Sequence, residues 1–196
     1  RGRVVGFGGR VMDSNNQPKY LNSPETAYFH KSNELYALNS VQKTSPNVIL
    51  IVEGYMDVIA LYEHGIKNAV ATLGTATSQN HIQTLFKTSK TLIFCFDGDK
   101  AGRKAASRAL SICLPLILPE GEDPDSLVQK LGKAQFEMKV NDALSIDEFF
   151  FNELSLEAQP HDTAGRSKLV HLAKPLISSM PKGALKELLL NQLAQI

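Results

Sequence analysis

The middle of the chain alternates between short apolar runs and segments with helical periodicity. Val48–Val52 is a continuous apolar run rich in β-branched residues, which is typical of a buried strand. Asn68–Leu73 and Thr91–Phe96 are predicted to be the second and third strands. Between these runs, Met56–His64 and Thr77–Lys87 repeat apolar side chains at helical spacing. Strands that alternate with helices in this way predict a parallel sheet covered by helices on both faces.

The predicted helices carry further signals along their length. Gly65 follows the first one, and glycine is favoured just beyond a helix because it adopts positive φ without strain. In the second, Ile82, Leu85 and Phe86 are spaced to face the core. A third helix is predicted over Ala101–Ile112.

The segment Leu114–Pro119 has to end that third helix, make a turn and supply a fourth strand. Such loops usually take about 2–6 residues and a strand takes about five more, so the segment is short for this purpose. We therefore expect residues to be missing here. Because the chain begins with Arg1 rather than methionine, we also expect it to be part of a longer protein.

The two ends of the chain differ from its middle. Before residue 46, short strand-like pieces are interrupted by four glycines and a polar loop, which is typical of the end of an α/β subdomain. Beyond Pro124 the pattern is helical, and we expect Pro160, Pro175 and Pro181 to divide the helices. The predicted organisation is an N-terminal α/β segment (1–45), a parallel-sheet module (46–140) and a helical subdomain (141–196).

The composition is that of a soluble globular protein, with 43% hydrophobic and 21% charged residues. No apolar run approaches the roughly 20 residues of a membrane span, and no signal peptide opens the chain, so we expect no membrane partner. Cys95 lies between two phenylalanines and is predicted to pack in the core of a protein from a reducing cytoplasm. Neither cysteine nor histidine has zinc-ligand spacing, so zinc is not expected.

The net charge of +1 gives no overall electrostatic argument for a nucleic-acid partner, but the charges are unevenly distributed. Residues 1–31 hold five basic and two acidic residues, whereas residues 120–125 hold four acidic residues and no basic one. A basic patch suits phosphates, and an acidic pocket suits divalent cations. Both segments could instead be solvated loops, which is the more common explanation for a run of charges.

Acidic residues follow three of the four predicted strands. The set is Glu53, Asp57, Asp97, Asp99, Asp123 and Asp125. Ligands and catalytic groups of open α/β sheets gather at the carboxyl ends of the strands. Carboxylates that converge there repel each other unless cations neutralise them, and oxygen ligands favour magnesium, manganese or calcium over zinc.

Each acidic group taken alone has a simpler explanation. Asp-Gly-Asp is common in turns after strands, and Asp57 alone could be stabilised by a helix N-terminus. Glu-Asp-Pro-Asp could cap the following helix. Convergence of all three groups on one edge of a sheet is harder to explain in this way. We interpret them as a divalent-metal site suited to a nucleoside triphosphate, where two ions could support an in-line displacement.

Several segments resemble the bacterial primase family. They are RGRVVGFGGRV (1–11), PKYLNSPET (18–26), FHK (29–31), VEGYMDVIAL (52–61), ATLGTA (71–76), FDGDKAGRKAA (96–106) and GEDPDSL (121–127). The second and third point to primase in particular, while the acidic motifs mark a TOPRIM module, which topoisomerases and some nucleases share. The resemblance implies an α/β fold: a parallel-sheet TOPRIM core flanked by part of an N-terminal α/β subdomain and a small C-terminal helical bundle.

The resemblance also implies roles for individual residues. Glu53 would be the acid–base residue, with Asp97 and Asp99 also catalytic, and the six acids would bind Mg²⁺ or Mn²⁺, with more than one ion. Contacts to nucleotide and template would come from Arg10, Lys19, Tyr20, Asn22 and Lys31. Between the third predicted helix and Glu-Asp-Pro-Asp the chain is shorter than the family pattern.

The implied function is DNA-templated synthesis of RNA primers on single-stranded DNA, by metal-dependent nucleotidyl transfer in the bacterial cytoplasm. Ribonucleoside triphosphates would be substrates. The replicative helicase would be a partner through a C-terminal domain that we expect the chain to lack, together with the family's zinc-binding domain.

Three alternatives remain open at the level of sequence. Another TOPRIM enzyme, a topoisomerase or a nuclease, would share the acidic motifs, although no tyrosine is identified as a topoisomerase nucleophile. A non-catalytic nucleic-acid-binding or protein-binding module could retain a relic metal site. A haloacid-dehalogenase-like phosphatase also uses Asp-x-Asp after a strand, but it would leave PKYLNSPET unexplained.

Overall fold

The structure, a computed structural model, describes residues 4–11, 20–74, 77–98, 114–141, 143, 145–180 and 183–196. The chain divides into two units, residues 1–143 and residues 144–196. The three predicted segments, with boundaries near residues 45 and 140, stay a prediction.

A two-stranded antiparallel sheet stands near the start of the first unit. Strands β1 (Gly8–Arg10) and β2 (Tyr20–Asn22) pair so that Arg10 lies opposite Tyr20. The backbone N–H of Ser23 also donates to the carbonyl of Phe7, which extends the pairing beyond the two strands. This small sheet carries three of the predicted contact residues.

A four-stranded parallel sheet forms the core of the first unit. Its strands are β3 (Val48–Val52), β4 (Ala69–Ala71), β5 (Thr91–Phe96) and β6 (Leu114–Ile117), in the order β4-β3-β5-β6. Tyr36 forms an antiparallel bridge with Ala71 and so covers part of the outer edge of β4. The side chains described in these strands are almost all buried, as expected for a parallel sheet covered on both faces.

Four helices of the first unit are described: α1 (Leu38–Thr44), α2 (Tyr55–Glu63), α3 (Gln79–Phe86) and α4 (Pro124–Asn141). A positive φ of 71° at Gly132 interrupts α4. Apolar side chains of α2 and α4, including Leu61, Val128 and Phe136, pack with sheet residues in one core cluster. Gly65 has a φ of 84° just beyond α2, as glycine does at helix ends.

The second unit is helical. It contains α5 (Ile146–Ala158), α6 (Thr163–Ser179) and α7 (Ala184–Leu193). Its buried apolar residues include Phe149, Leu169, Ile177 and Leu189. No helix in the described part of the chain is both long and apolar enough to cross a membrane.

The parallel α/β fold is confirmed, and several finer predictions need correction. Strand β4 is shorter than the predicted Asn68–Leu73. Phe86 is 45% exposed rather than in the core, because α3 ends at this residue. Pro175 lies inside α6 rather than between helices. The predicted helix 101–112 and Pro181 fall outside the described residues.

The fourth strand is confirmed, since β6 pairs in parallel with β5 along its whole length. The chain that leads into it lies outside the described residues, so the expectation of missing residues stays a prediction. Cys95 is fully buried in β5, as predicted. Cys113 is also outside the described residues.

Candidate active site

The carboxyl ends of the parallel strands bring acidic residues to one edge of the sheet. Glu53 directly follows β3, Asp97 directly follows β5, and the loop after β6 leads to Asp123 and Asp125. Glu53 is exposed, whereas Asp97 is half-buried and its Oδ1 atom is inaccessible to solvent. This edge is the one at which α/β sheets bind their ligands.

Asp57 lies in the first turn of α2 and is held by the turn that precedes the helix. Its Oδ2 accepts a hydrogen bond of 3.0 Å from the backbone N–H of Gly54. A Cβ at Gly54 would lie 2.9 Å from that same oxygen, so a larger residue there would push the carboxylate away. The Glu53-Gly54 sequence therefore lets the chain turn tightly between an exposed acid and a buried one.

The pKa of Asp57 is raised to about 7 from an ordinary value of 3.8, and burial is the largest cause. The negative charges of Asp123, Asp97 and Asp125 contribute to the same rise, while the hydrogen bond from Gly54 acts in the opposite direction. Three of the other predicted acids are therefore close enough to act on Asp57. The fold brings these negative charges together at this edge of the sheet.

A close approach of two backbone segments joins the ends of β5 and β6. The N–H of Gly98 donates to the carbonyl of Glu122 at 2.9 Å, and a Cβ at Gly98 would lie only 1.8 Å from the carbonyl oxygen of Pro119. Only glycine fits this position without moving the backbone. The glycine of the Asp-Gly-Asp motif thus allows Asp97 to approach the Glu-Asp-Pro-Asp loop.

The Glu-Asp-Pro-Asp segment begins helix α4 and caps it. Asp123 Oδ1 accepts from the N–H of Ser126 at 2.7 Å, and Ser126 Oγ accepts from the N–H of Asp123 at 3.0 Å. Glu122 accepts from Ser126 Oγ at 2.7 Å and forms an ion pair with Lys130. Capping is therefore one role of Asp123, and it occupies Oδ1. Asp125 Oδ1 accepts from Gln129 Nε2 at 2.5 Å.

The donor chemistry of this edge fits a hard divalent cation. All the predicted ligands are carboxylates, and three of them add to the effect of burial in raising the pKa of Asp57. Among the described residues, no group of three or more His, Cys, Asp or Glu side chains is arranged to hold a metal ion. Asp99, one of the six predicted ligands, lies outside those residues. The ligand set stays a prediction.

The β1–β2 sheet brings three predicted contact residues to the turn before α2. The guanidinium carbon of Arg10 lies 5.7 Å from the ring centroid of Tyr20, and that ring meets Tyr55 edge-on at 5.2 Å. Asn22 Nδ2 donates to the carbonyl of Leu73 at 3.2 Å, just beyond β4. Burial raises the pKa of Tyr20, opposed by Arg10 and reinforced by Asp57. Arg10, Tyr20 and Asn22 are therefore near the acidic edge.

Lys31 belongs to a different segment, which is held by its backbone. Its N–H donates to Glu25 Oε1 at 3.0 Å, and its carbonyl lies 2.9 Å from His81 Nε2. The side chain of Lys31 is half-buried. Lys19, the remaining predicted contact residue, lies outside the described residues.

Sequence reasoning missed three residues that hold this segment: Glu25, Ser78 and His81. Glu25 binds both His30 and the Lys31 backbone, while Ser78 caps α3 and donates to the carbonyl of Ser32. A serine three residues before His81 is a signal of a helix N-terminus, but nothing in the sequence reveals partners 50 residues away.

Comparison with known proteins identifies the family. The DNA primase of Legionella pneumophila is 50% identical over 207 aligned positions, which cover 100% of this chain and 36% of that protein. The DNA primase of Escherichia coli (strain K12) is 49% identical over 205 positions, which cover 98% and 35% respectively. The chain belongs to the bacterial DNA primase family. It spans about a third of the length of these curated relatives.

Three family models match this primase chain in succession. The DNA primase catalytic core, N-terminal domain, matches residues 1–42, and the Toprim-like family matches residues 50–128. The DnaB-helicase binding domain of primase matches residues 148–196. This last match contradicts the expectation that the helicase-binding domain lies outside the chain. The alignments to the relatives are longer than the chain's 196 residues. This agrees with a segment that is shorter in this chain than in the relatives, but it does not show where in the chain that segment lies.

Solved structures have the same fold. A structure of the DnaG catalytic core is 48% identical with a TM-score of 0.85. The match covers 99% of this chain and 66% of the chain in that structure. A DNA primase domain from Pseudomonas aeruginosa is 48% identical with a TM-score of 0.88. That match covers 99% of this chain and 64% of the chain in that structure. The DnaG primase catalytic domain bound to ssDNA is 47% identical with a TM-score of 0.84, over 100% and 66%.

Proposed function

We propose that this chain contains the catalytic site of a primase that synthesises RNA primers on single-stranded DNA. The observation that carries the proposal is the cluster of carboxylates at the carboxyl edge of the sheet, where burial, together with the charges of Asp123, Asp97 and Asp125, raises the pKa of Asp57 to about 7. The family supports it, because the relatives are named DNA primases. As a replication enzyme of a bacterium, the protein would act in the cytoplasm.

Divalent cations would be held by Glu53, Asp57, Asp97, Asp99, Asp123 and Asp125. Bound Mg²⁺ or Mn²⁺ would supply charge neutralisation to the triphosphate and to the oxygens that attack and leave. The protein's own contribution is to preorganise these carboxylates. The turn at Gly54 and the close approach at Gly98 fix two of the loops that carry them. Glu53, which is exposed at the end of β3, would accept or return a proton.

The basic residues would bind the negatively charged substrates. Arg10, stacked near Tyr20, and Lys31, held by its backbone, would contact phosphates of the incoming nucleotide or of the template, and Lys19 would join them. Such contacts fix position without reading base sequence. Asn22, tied to the carbonyl of Leu73, would fix the β1–β2 sheet beside the site. Single-stranded DNA and ribonucleoside triphosphates are the proposed partners, with the replicative helicase as a partner of residues 148–196.

The test is incorporation of labelled ribonucleotides on single-stranded DNA, with Mg²⁺ or Mn²⁺, at high protein concentration. Asp97→Asn removes one carboxylate charge with little change in volume, so it should abolish metal-dependent synthesis while the fold is retained. His161→Asn, at an exposed position in the second unit, is the matched control and should retain synthesis.

Near-wild-type synthesis by Asp97→Asn would contradict the proposed site. Relaxation or nicking of supercoiled plasmid, without RNA synthesis, would favour a topoisomerase or a nuclease. Metal-dependent DNA binding without any synthesis, in the chain and also in the full-length protein, would favour a non-catalytic module.

A further inference from the structure

The backbone of Lys31 is held from two sides by residues distant in sequence. On one side, the carboxylate of Glu25 accepts from the Lys31 N–H at 3.0 Å and binds the ring of His30 through its other oxygen, also at 3.0 Å. On the other side, His81 Nε2 lies 2.9 Å from the Lys31 carbonyl. Both polar groups of this peptide backbone are therefore engaged.

The contact from His81 is one of three that the start of α3 makes with the same turn. Ser78 Oγ donates to the carbonyl of Ser32, and Asn80 Nδ2 donates to Asn33 Oδ1 at 2.8 Å. Residues 31, 32 and 33 are thus each bound by one residue in the first turn of α3. The helix itself is fixed, because Ile82 and Leu85 are buried in the core of the first unit.

The hydrogen bonds of His81 define which ring nitrogen carries the proton. Nδ1 lies 3.2 Å from the backbone nitrogen of Ser78, which can only donate, so Nδ1 accepts. Nε2 therefore carries the proton in the neutral ring and donates to the Lys31 carbonyl. The ring is fully buried, and burial lowers its pKa, which favours this neutral form.

The topology places this contact at the acidic edge. Helix α3 starts just after the carboxyl end of β4, so its first turn lies at the same end of the sheet as Glu53 and Asp97. The same β4–α3 connection also accepts the hydrogen bond of Asn22 through Leu73. Leu73 thus holds the β1–β2 sheet, and the start of α3 holds residues 31–33. Both of these segments carry predicted phosphate contacts.

We propose that His81 is a positioning residue that fixes Lys31 at the phosphate-binding edge through its Nε2–H. The inference rests on the proposed function of Lys31. His81 does not touch the substrate; it determines where the Lys31 backbone stands and hence where the ammonium group can reach. Without the hydrogen bond, the turn at residues 31–33 samples more conformations, and Lys31 binds phosphate less well.

Two neutral substitutions separate this contact from the capping of α3. In His81→Asn, the side-chain oxygen can replace Nδ1 as acceptor for the Ser78 N–H, but the amide is too short to reach Lys31. In His81→Gln, the oxygen can cap Ser78 and the amide nitrogen can donate to the Lys31 carbonyl. We expect His81→Asn to raise the Kd for single-stranded DNA, or the KM for nucleotide, about tenfold. His81→Gln should stay near wild type, as should His171→Asn on the exposed face of α6.

A double-mutant cycle with Lys31→Ala tests whether the effect passes through Lys31. If it does, His81→Asn should cause no further loss of affinity in the Lys31→Ala background. Equal effects of His81→Asn and His81→Gln, or a full further loss in that background, would overturn the proposal. If His81→Asn does not fold, Asn80→Ala can replace it in the double-mutant cycle. Asn80 is exposed, and this substitution removes its hydrogen bond to Asn33.

Amide hydrogen exchange of residues 29–34 in the free chain provides a readout that does not depend on activity. Exchange in this segment should be faster in His81→Asn than in His81→Gln, with equal exchange in β3 and β5. Equal exchange in the two variants at residues 29–34 would overturn the positioning role. A wild-type chain that binds neither DNA nor nucleotide would instead contradict the proposed function, and the exchange comparison would still test His81.

Discussion

At the scale of single residues, Asp57 shows the electrostatic cost of the site. Its folded-state pKa is about 7 and its ordinary value is 3.8, so the folded protein retains a proton that the unfolded chain releases. Stability therefore decreases as the pH rises from about 4 to about 7 and stays reduced above that range. The difference between these two pKa values corresponds to a decrease of at most about 4 kcal/mol in the free energy of unfolding for this one carboxyl.

Asp57→Asn should therefore stabilise the metal-free protein at pH 8. Asparagine keeps an oxygen to accept from the Gly54 N–H and removes the charge that burial and the neighbouring Asp123 and Asp97 disfavour. We expect the Tm at pH 8 to rise by about 5 °C, and the decrease in stability between pH 4 and pH 7 to become smaller. Thermal unfolding in EDTA over that pH range measures both.

Divalent metal supplies the control for this prediction. Mg²⁺ should raise the Tm of the wild-type protein at pH 8 more than the Tm of Asp57→Asn. The wild-type protein has one more negative charge in the acidic cluster for the bound cation to neutralise. Equal Tm values for the two proteins across the whole pH range would mean that neither burial nor the neighbouring carboxylates disfavour the charge of Asp57.

Glu53 and Asp97 could be predicted as residues of the acidic edge because each directly follows a recognisable apolar run. Once Val48–Val52 and Thr91–Phe96 are identified as parallel strands, the acids after them must share an edge. His81 gives no such signal, because its role comes from a carbonyl 50 residues earlier in the chain. The sequence pattern identifies residues that directly follow a recognisable strand. It does not identify residues whose role depends on a contact with a distant part of the chain.

At the scale of elements, the junction between β5 and β6 depends on one glycine. A Cβ at Gly98 would lie 1.8 Å from the Pro119 oxygen and 2.7 Å from the Leu118 oxygen, both of them backbone atoms. Gly98→Ala must therefore separate the two loops and disturb the hydrogen bond from the Gly98 N–H to Glu122. We expect a loss of about 3 kcal/mol in the free energy of unfolding, measured by urea denaturation.

Gly183→Ala is the matched control for this substitution. Gly183 has an extended backbone with a φ of 167°, and a Cβ there would meet nothing within 4 Å. Its free energy of unfolding should change by less than about 1 kcal/mol. If both substitutions cost the same, the close approach at Gly98 is not what holds the two loops together.

The elements themselves could be predicted to different extents. Strands β3 and β5 have the predicted bounds, because each is a complete apolar run that the sheet buries on both faces. Strand β4 is shorter than the predicted Asn68–Leu73, since pairing with β3 covers only three residues. Phe86 has the spacing of a core residue, but its position at the end of α3 exposes it. Periodicity predicts which face is apolar and does not predict where pairing or a helix ends.

At the scale of the whole molecule, catalysis and helicase binding are proposed for different units. The acidic edge and its contact residues belong to residues 1–143, whereas the match to the DnaB-helicase binding domain of primase begins at residue 148. The two proposed activities should therefore be separable by substitutions that each affect one unit. Asp97→Asn lies in the first unit, and a chain that ends at residue 143 lacks the second.

Binding of the chain to the replicative helicase tests this separation. Asp97→Asn should bind the helicase with wild-type affinity while making no RNA, because the substitution removes one charge at the sheet edge and leaves α5, α6 and α7 intact. The chain that ends at residue 143 should lose helicase binding, measured by sedimentation or surface immobilisation, and circular dichroism checks that its sheet is retained. If the whole 196-residue chain does not bind the helicase, the docking site lies elsewhere in the longer relatives. If the shortened chain still binds, helicase contact belongs to the first unit, and the match at residues 148–196 reflects common ancestry alone.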